Sequence, residues 1–303
     1  MLYGNHEPIT TLKTYVETTI KTWAGIQFFL LVGPNGIGKS AHAQELIKEF
    51  LWPYAYSDFL YLKDYTSDIG KTHTIPVELN DSNKVVEFPD GSEHPNYGIR
   101  ELNLRMQQSG FSLTKFVLIE NIQRMSNSAM NAFLKTSEEP LPNRFIIATL
   151  PHTSQIIDTI LSRCIAIHFD PLSEREMQEF AAAHHIASGD KELREILIAM
   201  AMGKPGMLLR LSDQISLNPE LAQTIKTLAV HLASPSFSTT KKQQLLKQLS
   251  EVWLLQDFID GWIAYGTERG LFSDAEKWLE VKRLMQANVN VENVLWYGVI
   301  GGE

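Results

Sequence analysis

One octapeptide constrains this chain more than any other feature: Gly33-Pro34-Asn35-Gly36-Ile37-Gly38-Lys39-Ser40. It fits the pattern G-x-x-x-x-G-K-[ST], in which glycines let backbone N–H groups curl around phosphate oxygens. Lys39 would bring a cation to the terminal phosphates and Ser40 a hydroxyl to Mg²⁺, and a helix starting there favours an anion. The pattern has this meaning only where a strand delivers the chain and a helix leads it away. Phe28-Phe29-Leu30-Leu31-Val32 is a short unbroken apolar run, as in a parallel strand covered on both faces. Ala41–Trp52 puts Leu46, Ile47, Phe50 and Leu51 at helical spacing, and Pro53 stops it. Average residue frequencies produce an accidental match in about one chain per hundred of this length. With both flanks in place, the octapeptide is read as a phosphate-binding loop.

The strand signature returns at Phe116–Ile119, Phe145–Ala148 and Cys164–Ile167. Ser126–Glu139 is helical, with Met130, Phe133 and Leu134 on one face and Pro140 as its stop. This alternation predicts an α/β domain with a parallel sheet. Between Thr66 and Asn96 the pattern is weak. Two alternating stretches within Ile75–Phe88, around Asn80-Asp81-Ser82-Asn83, predict a hairpin inserted at the edge of the domain.

After Pro171 the strand signals stop. Ser173 and Glu176 form a capping box, with Leu172 and Met177 as a staple, and a small helical unit runs to Gly203-Lys204-Pro205-Gly206. Asn218-Pro219 opens a further helix carrying Leu221, Ile225, Leu228 and Leu232 on one face, and 241–263 and 273–286 continue the helical pattern. The expected layout is an α/β nucleotide-binding domain over 1–170 with an insertion at about 66–96, a helical lid over 171–213, and an all-helical collar over 214–303.

Composition narrows the functional classes. One cysteine, Cys164, excludes a disulfide framework and any zinc module built on several thiolates. The 27 basic against 35 acidic residues leave a net charge of −8, so contact with DNA is expected to be local or shared with partners. The longest apolar runs, Phe28–Val32 and Ile196–Met202, are far below the roughly 20 residues of a membrane span. Met1–Glu7 has neither a basic nor an apolar signal region. The chain is expected in the cytoplasm, with no membrane contact.

In a phosphate-loop nucleotidase the next strand should end in two acids, one for the Mg²⁺ shell and one as base for the attacking water. Here it ends Leu118-Ile119-Glu120-Asn121. Glu120 can serve the metal, or both can be ordinary strand-end polar residues. Either way Asn121 cannot accept a proton at neutral pH, and losing a general base typically costs 10²–10⁴-fold in rate. Other candidates read as structure. His184-His185 has no carboxylate or thiol cluster near it in sequence. Trp253, Phe258 and Trp262 suit a core or subunit interface, Lys241-Lys242 a solvated helix start, and Cys164 a small buried hydrophobe.

Several strings, in order, resemble the bacterial DNA polymerase III clamp-loader subunits of the AAA+ class. Asn131-Ala-Phe-Leu-Lys-Thr-Ser-Glu-Glu-Pro140 is similar to that family's N-A-L-L-K-T-L-E-E-P helix, and Ile99-Arg-Glu-Leu102 to its I-R-E-L helix. Phe145-Ile-Ile-Ala-Thr149 resembles its sensor-1 strand, with Thr149 at the sensor position. Ser162-Arg163-Cys164 matches S-R-C, and Leu284–Asn290 resembles the collar's A-N-x-N segment. The resemblance covers most of the chain except the 66–96 insertion. It implies that Gly33–Ser40, Glu120 and Thr149 bind ATP, with Mg²⁺ at Ser40 and Glu120.

The motor subunits of that family carry a zinc module, end the acidic strand in Asp-Glu, and place an arginine in a G-S-x-R sensor-2 segment. This chain has one cysteine, Glu120-Asn121, and Gly203-Lys204-Pro205-Gly206 with glycine at the arginine position. The G-x-P-G form is similar to the delta-prime type. The resemblance then implies a subunit that hydrolyses ATP poorly or not at all by itself. It would sit in a hetero-pentamer with motor and delta subunits and act on the sliding clamp and primer–template DNA through the assembly. Arg163 would reach the ATP of a neighbouring subunit, and a finger of that kind is worth 10³–10⁵ in rate. Two rival readings are a divergent motor ATPase of the same loader and an unrelated phosphate-loop phosphotransferase. The second would need an acceptor site and a catalytic acid, and no such constellation is visible in the sequence.

Overall fold

The computed structural model describes residues 3–22, 27–51, 58–66, 73–79, 85–87, 93–110, 112, 114–138, 141–231, 239–251, 259, 261, 263 and 283. The chain divides into two compact units, Met1–Asp170 and Pro171–Glu303.

The first unit runs α1 (His6–Thr22), β1 (Phe28–Val32), α2 (Lys39–Leu51), β2 (Phe59–Leu62), β3 (Tyr65–Thr66), β4 (His73–Thr74), β5 (Val85–Glu87), β6 (Glu93–Pro95), α3 (Ile99–Gln107), β7 (Lys115–Ile119), α4 (Asn127–Glu138), β8 (Arg144–Leu150), α5 (Asp158–Leu161) and β9 (Ile165–His168). Five strands form one parallel sheet in the order β2-β7-β8-β1-β9. Its two faces explain the unbroken apolar runs. Phe28, Leu30, Val117, Ile119 and Ile146 pack with Ile99, Leu102, Ala129 and Phe133 of α3 and α4. Phe29, Leu31, Phe116, Leu118 and Ile147 pack with Leu12 and Val16 of α1 and Leu46 and Ile47 of α2. Alternate residues of one strand thus enter opposite cores, so the middles of the central strands are apolar and the polar Lys115, Arg144 and Thr149 fall near strand ends. This is the expected α/β class with a parallel sheet and helices on both faces.

The edge strand β2 and the helix α1 are absent from the sequence expectation. Phe59–Leu62 is four residues between Asp58 and Lys63, too short to stand out, yet all four are buried. The hairpin expected around 80–83 is corrected. Tyr65–Thr66 pairs with His73–Thr74, and Val85–Glu87 pairs with Glu93–Pro95, both antiparallel. Ile75 instead bridges Met125 in parallel. Its N–H donates to the Arg124 carbonyl at 2.8 Å, and its carbonyl accepts from Ser126 N–H at 3.0 Å. The two alternating stretches therefore find different partners; residues 80–84 lie outside the described set.

The second unit, among the described residues, is helical: α6 (Glu174–Ala183), α7 (Lys191–Ala201), α8 (Pro205–Leu217), α9 (Glu220–His231) and α10 (Thr239–Glu251). The capping box forms at α6, where Glu176 N–H donates to the Ser173 hydroxyl and Ser173 N–H to the Glu176 carboxylate at 2.8 Å. Lys226 on α9 reaches Asp190 at 3.0 Å and Glu192 at 3.1 Å, at the start of α7. The Leu193 N–H, followed by Lys226, holds the Asp190 carboxyl below its ordinary range. Residue 213, where a lid was expected to end, lies inside α8. Trp253, Phe258, Trp262 and the 284–290 segment lie outside the described residues.

Candidate nucleotide-binding site

The loop after β1 is shaped by what presses on it. Gly33 N–H donates to the Leu150 carbonyl at 3.0 Å. A Cβ on Gly33 would sit 2.3 Å from the Phe169 carbonyl oxygen and 2.6 Å from Ile37 Cδ1. Gly36 and Gly38 have φ of 82° and 95°, the left-handed region that glycine enters freely. Ile37 is fully buried and anchors the loop, while Asn35 and Gly36 are exposed at its tip and Pro34 and Ser40 are half-buried. α2 starts at Lys39, so the loop ends on a helix N-terminus.

Lys39 is only 6 % exposed. Its ammonium donates to the Gly33 carbonyl and, at 2.9 Å, to the Pro34 carbonyl. Burial pulls its pKa down to about 8, and the Glu120 carboxylate opposes that fall. Two residues that the sequence reading missed brace this corner. His42 Nδ1 lies 2.9 Å from the Gly38 carbonyl oxygen, and Nε2 lies 3.3 Å from that of Gly4. The Asn5 carboxamide donates to the Asp170 carbonyl at 3.0 Å and accepts the Asp170 N–H at 2.9 Å. Neither carries a sequence signal, because the Gly4 contact of His42 and both Asn5 contacts are to backbone that arrives from far away in the chain.

Strand order builds the rest of the site. β8 lies between β7 and β1, and Thr149 on β8 is in register with Leu31 of β1. The buried Thr149 hydroxyl accepts the Asn121 N–H at 3.0 Å. Asn121 itself sits at φ 54°, ψ 55°, left-handed backbone that asparagine tolerates better than most residues. Glu120 N–H donates to the Leu62 carbonyl at 2.9 Å. Tyr61 of β2, almost wholly buried, hydrogen-bonds Glu120. Burial first, and then the Glu120 charge, holds the Tyr61 hydroxyl far above its ordinary pKa, so it remains a donor. Tyr61 is thus a further residue of the site, hidden from sequence reading in the missed strand. Close by in the chain, Asp64, 4 % exposed, pairs with Arg124 and with His73 Nδ1 at 3.2 Å.

The donor set fits a nucleotide polyphosphate chelated to Mg²⁺: left-handed glycines at a helix N-terminus, a buried ammonium, and oxygen donors on Ser40 and Glu120. The position after Glu120 carries an amide, which holds no exchangeable base for a water proton.

Arg163 follows α5, and its partners are not in the loop. Its Nη2 lies 2.9 Å from Glu138 Oε1 at the end of α4, and its Nη1 bonds the Thr159 carbonyl and, at 3.4 Å, the Ser162 hydroxyl. Cys164 is half-buried; burial pushes its thiol up to about 11, so it is a packing residue and not a nucleophile. In the second unit Gly203 has φ 71°, and a Cβ there would meet the Leu172 carbonyl oxygen at 2.6 Å. Pro205 and Gly206 then open α8, so glycine occupies the first turn of that helix.

Residues 10–173, more than half of the chain, match the family described as DNA polymerase III, delta subunit. The replication factor C small subunit of Methanosarcina barkeri is 25 % identical over 203 residues, which are 66 % of this chain and 53 % of that protein. The DNA polymerase III subunit delta' of Haemophilus influenzae is 32 % identical over 105 residues, 34 % of this chain and 30 % of that one. That of Bacillus subtilis is 28 % identical over 92 residues, 30 % of this chain and 28 % of that one. The chain spans about half, or less, of the length of these relatives. A crystal structure of a DNA polymerase III gamma subunit-related protein from Thermotoga maritima shares the fold, with a TM-score of 0.53 at 15 % identity, covering 94 % of this chain and 97 % of that one. No helix among the described residues is long and apolar enough to cross a membrane.

Proposed function

The chain belongs to the DNA polymerase III delta-subunit family, and from that premise we propose that it is a delta-prime-like subunit of the clamp loader. In this reading it binds ATP at Gly33–Ser40, Glu120 and Thr149, and hydrolyses it poorly or not at all by itself. It supplies Arg163 to the nucleotide of a neighbouring motor subunit. Residues 171–213 would act as the lid and 214–303 as the collar that joins a hetero-pentamer with motor and delta subunits. The sliding clamp and primer–template DNA would be met through that assembly.

One observation carries the reading. Asn121 occupies the position of the base, its N–H is tied to Thr149, and its amide can orient a water but cannot take its proton. Lys39 balances phosphate charge, Ser40 and Glu120 offer oxygens to Mg²⁺, and the loop N–H groups orient the chain of phosphates. Bound Mg²⁺ would neutralise charge between the phosphates. These parts bind; the part that starts hydrolysis is missing. A second reading, a motor ATPase, draws on the complete loop and on the Glu120 carboxylate whose charge acts on Lys39.

Two measurements separate them. The isolated chain should bind ATP–Mg²⁺ and turn it over well below about 1 s⁻¹, the low end of ordinary enzymes. Faster turnover would establish the motor reading. In a loader reconstituted with motor and delta subunits, Arg163→Ala should assemble normally yet lose most ATP turnover, because one developing phosphate charge loses its stabiliser. Arg163→Lys should restore little, since an ammonium lacks the planar fork. Unchanged turnover in the Arg163→Ala complex would remove the finger role.

A further inference from the structure

Arg163 has a carboxylate partner that the finger reading leaves without a task. Glu138 is the last residue of α4, at the negative end of the helix dipole, where a carboxylate is unfavourable unless a cation answers it. The cation is Arg163, with Nη2 at 2.9 Å from Oε1. Both side chains are partly open to solvent, 32 % and 48 % exposed. That sets this pair apart from Asp64–Arg124, whose carboxylate is 4 % exposed and cannot leave its arginine without a large desolvation loss. An exposed pair separates easily.

Carboxylate and phosphate present the same kind of oxygen edge to a guanidinium, and an N–H given to one is withheld from the other. We propose that Glu138 is a positioning residue that holds Arg163 in a home position, standing in for a phosphate oxygen, and competes with the neighbouring subunit's nucleotide for it. This inference rests on the finger reading. The Thr159 carbonyl and Ser162 hydroxyl stay bound to the other nitrogen, so the arginine can exchange one oxygen partner for another while keeping its orientation. The contact thereby limits how often the finger is engaged before a nucleotide-loaded neighbour arrives.

The first arm of the test needs no partner. Phenylglyoxal labels free guanidinium groups, and the rate at Arg163 in the isolated full-length chain can be read by peptide mass. Glu138→Gln should speed labelling of Arg163 by about two- to fivefold, the range set by exposed ion pairs. High salt should speed the wild-type rate towards that of the variant and leave the variant unchanged, because salt screens the pair. In the second arm, Glu138→Gln in the reconstituted loader should raise ATP turnover by a similar factor, and should do nothing in an Arg163→Ala background. A labelling rate unmoved by Glu138→Gln overturns the holding role whatever the finger does. Turnover that falls in Glu138→Gln, or does not change, overturns it too. Faster labelling combined with unchanged turnover in Arg163→Ala would instead mean that the pair is real and the finger reading wrong.

Discussion

Lys39 gives the sharpest test of the loop as a working phosphate site. Its ammonium is 6 % exposed, and burial brings its pKa from 10.5 to about 8. Phosphate binds the protonated form and, by adding negative charge beside it, raises that pKa again. Affinity should therefore be constant well below pH 8 and fall as pH rises through it. The protonated fraction is about 0.9 at pH 7 and about 0.1 at pH 9, so the Kd for ATP should rise about tenfold, or about 1.4 kcal/mol. A lysine left at 10.5 would lose only about 3 % of its protonated form over the same range. A phosphate monoester loses its second proton with a pKa of about 6 and is largely deprotonated by about pH 7, so the ligand contributes little to the change between about pH 7 and 9. The assay is isothermal titration calorimetry at pH 7, 8 and 9 in buffers of different ionisation enthalpy, which also reads proton uptake at the higher pH. Lys39→Arg, which stays charged throughout, should bind more weakly and with a flat profile. A flat wild-type profile without proton uptake would refute the argument, because it would mean that the buried ammonium is not what the phosphates meet.

Gly33→Ala should destabilise the first unit by about 1–3 kcal/mol and weaken ATP binding, since the new Cβ meets the Phe169 backbone at 2.3 Å; the denaturant midpoint checks it, and an unshifted midpoint counts against the close approach. Thr149→Val should cost about 1–3 kcal/mol by leaving the Asn121 N–H without its acceptor, while Thr149→Ser should cost much less, again read from denaturation. Asn121→Glu should not create a fast ATPase in the isolated chain, with turnover staying below about 1 s⁻¹ by phosphate release. The new carboxylate restores one part, leaves Gly206 without a cation, and occupies left-handed backbone that suits asparagine.

The loop, three flanking apolar runs and the capping box of α6 were legible because each is a local pattern whose chemistry is complete within a dozen residues. Phe28–Val32, Phe116–Ile119 and Phe145–Ala148 are apolar throughout because both faces of a parallel strand are covered, and that leaves a mark in composition. Phe59–Leu62 leaves a weak one, being short, and with it Tyr61 and its hold on Glu120 escaped notice. The stretches around 80–83 alternate as a hairpin would, but alternation records that a strand has two faces and not which strand it meets.

Sequence by itself thus determined the chemistry on offer at the proposed site: a lysine after a glycine loop carries a charge, and an amide takes no proton, wherever the chain goes. Tertiary structure alone decided how those groups are set. Burial under Gly33 and Pro34 lowers the Lys39 pKa, strand order puts the Thr149 hydroxyl on the Asn121 backbone, and the end of α4 delivers Glu138 to Arg163. A pKa, an occupied hydrogen bond and an ion pair are properties of what surrounds a side chain, and those surroundings come from residues up to 165 positions away, as between Asn5 and Asp170.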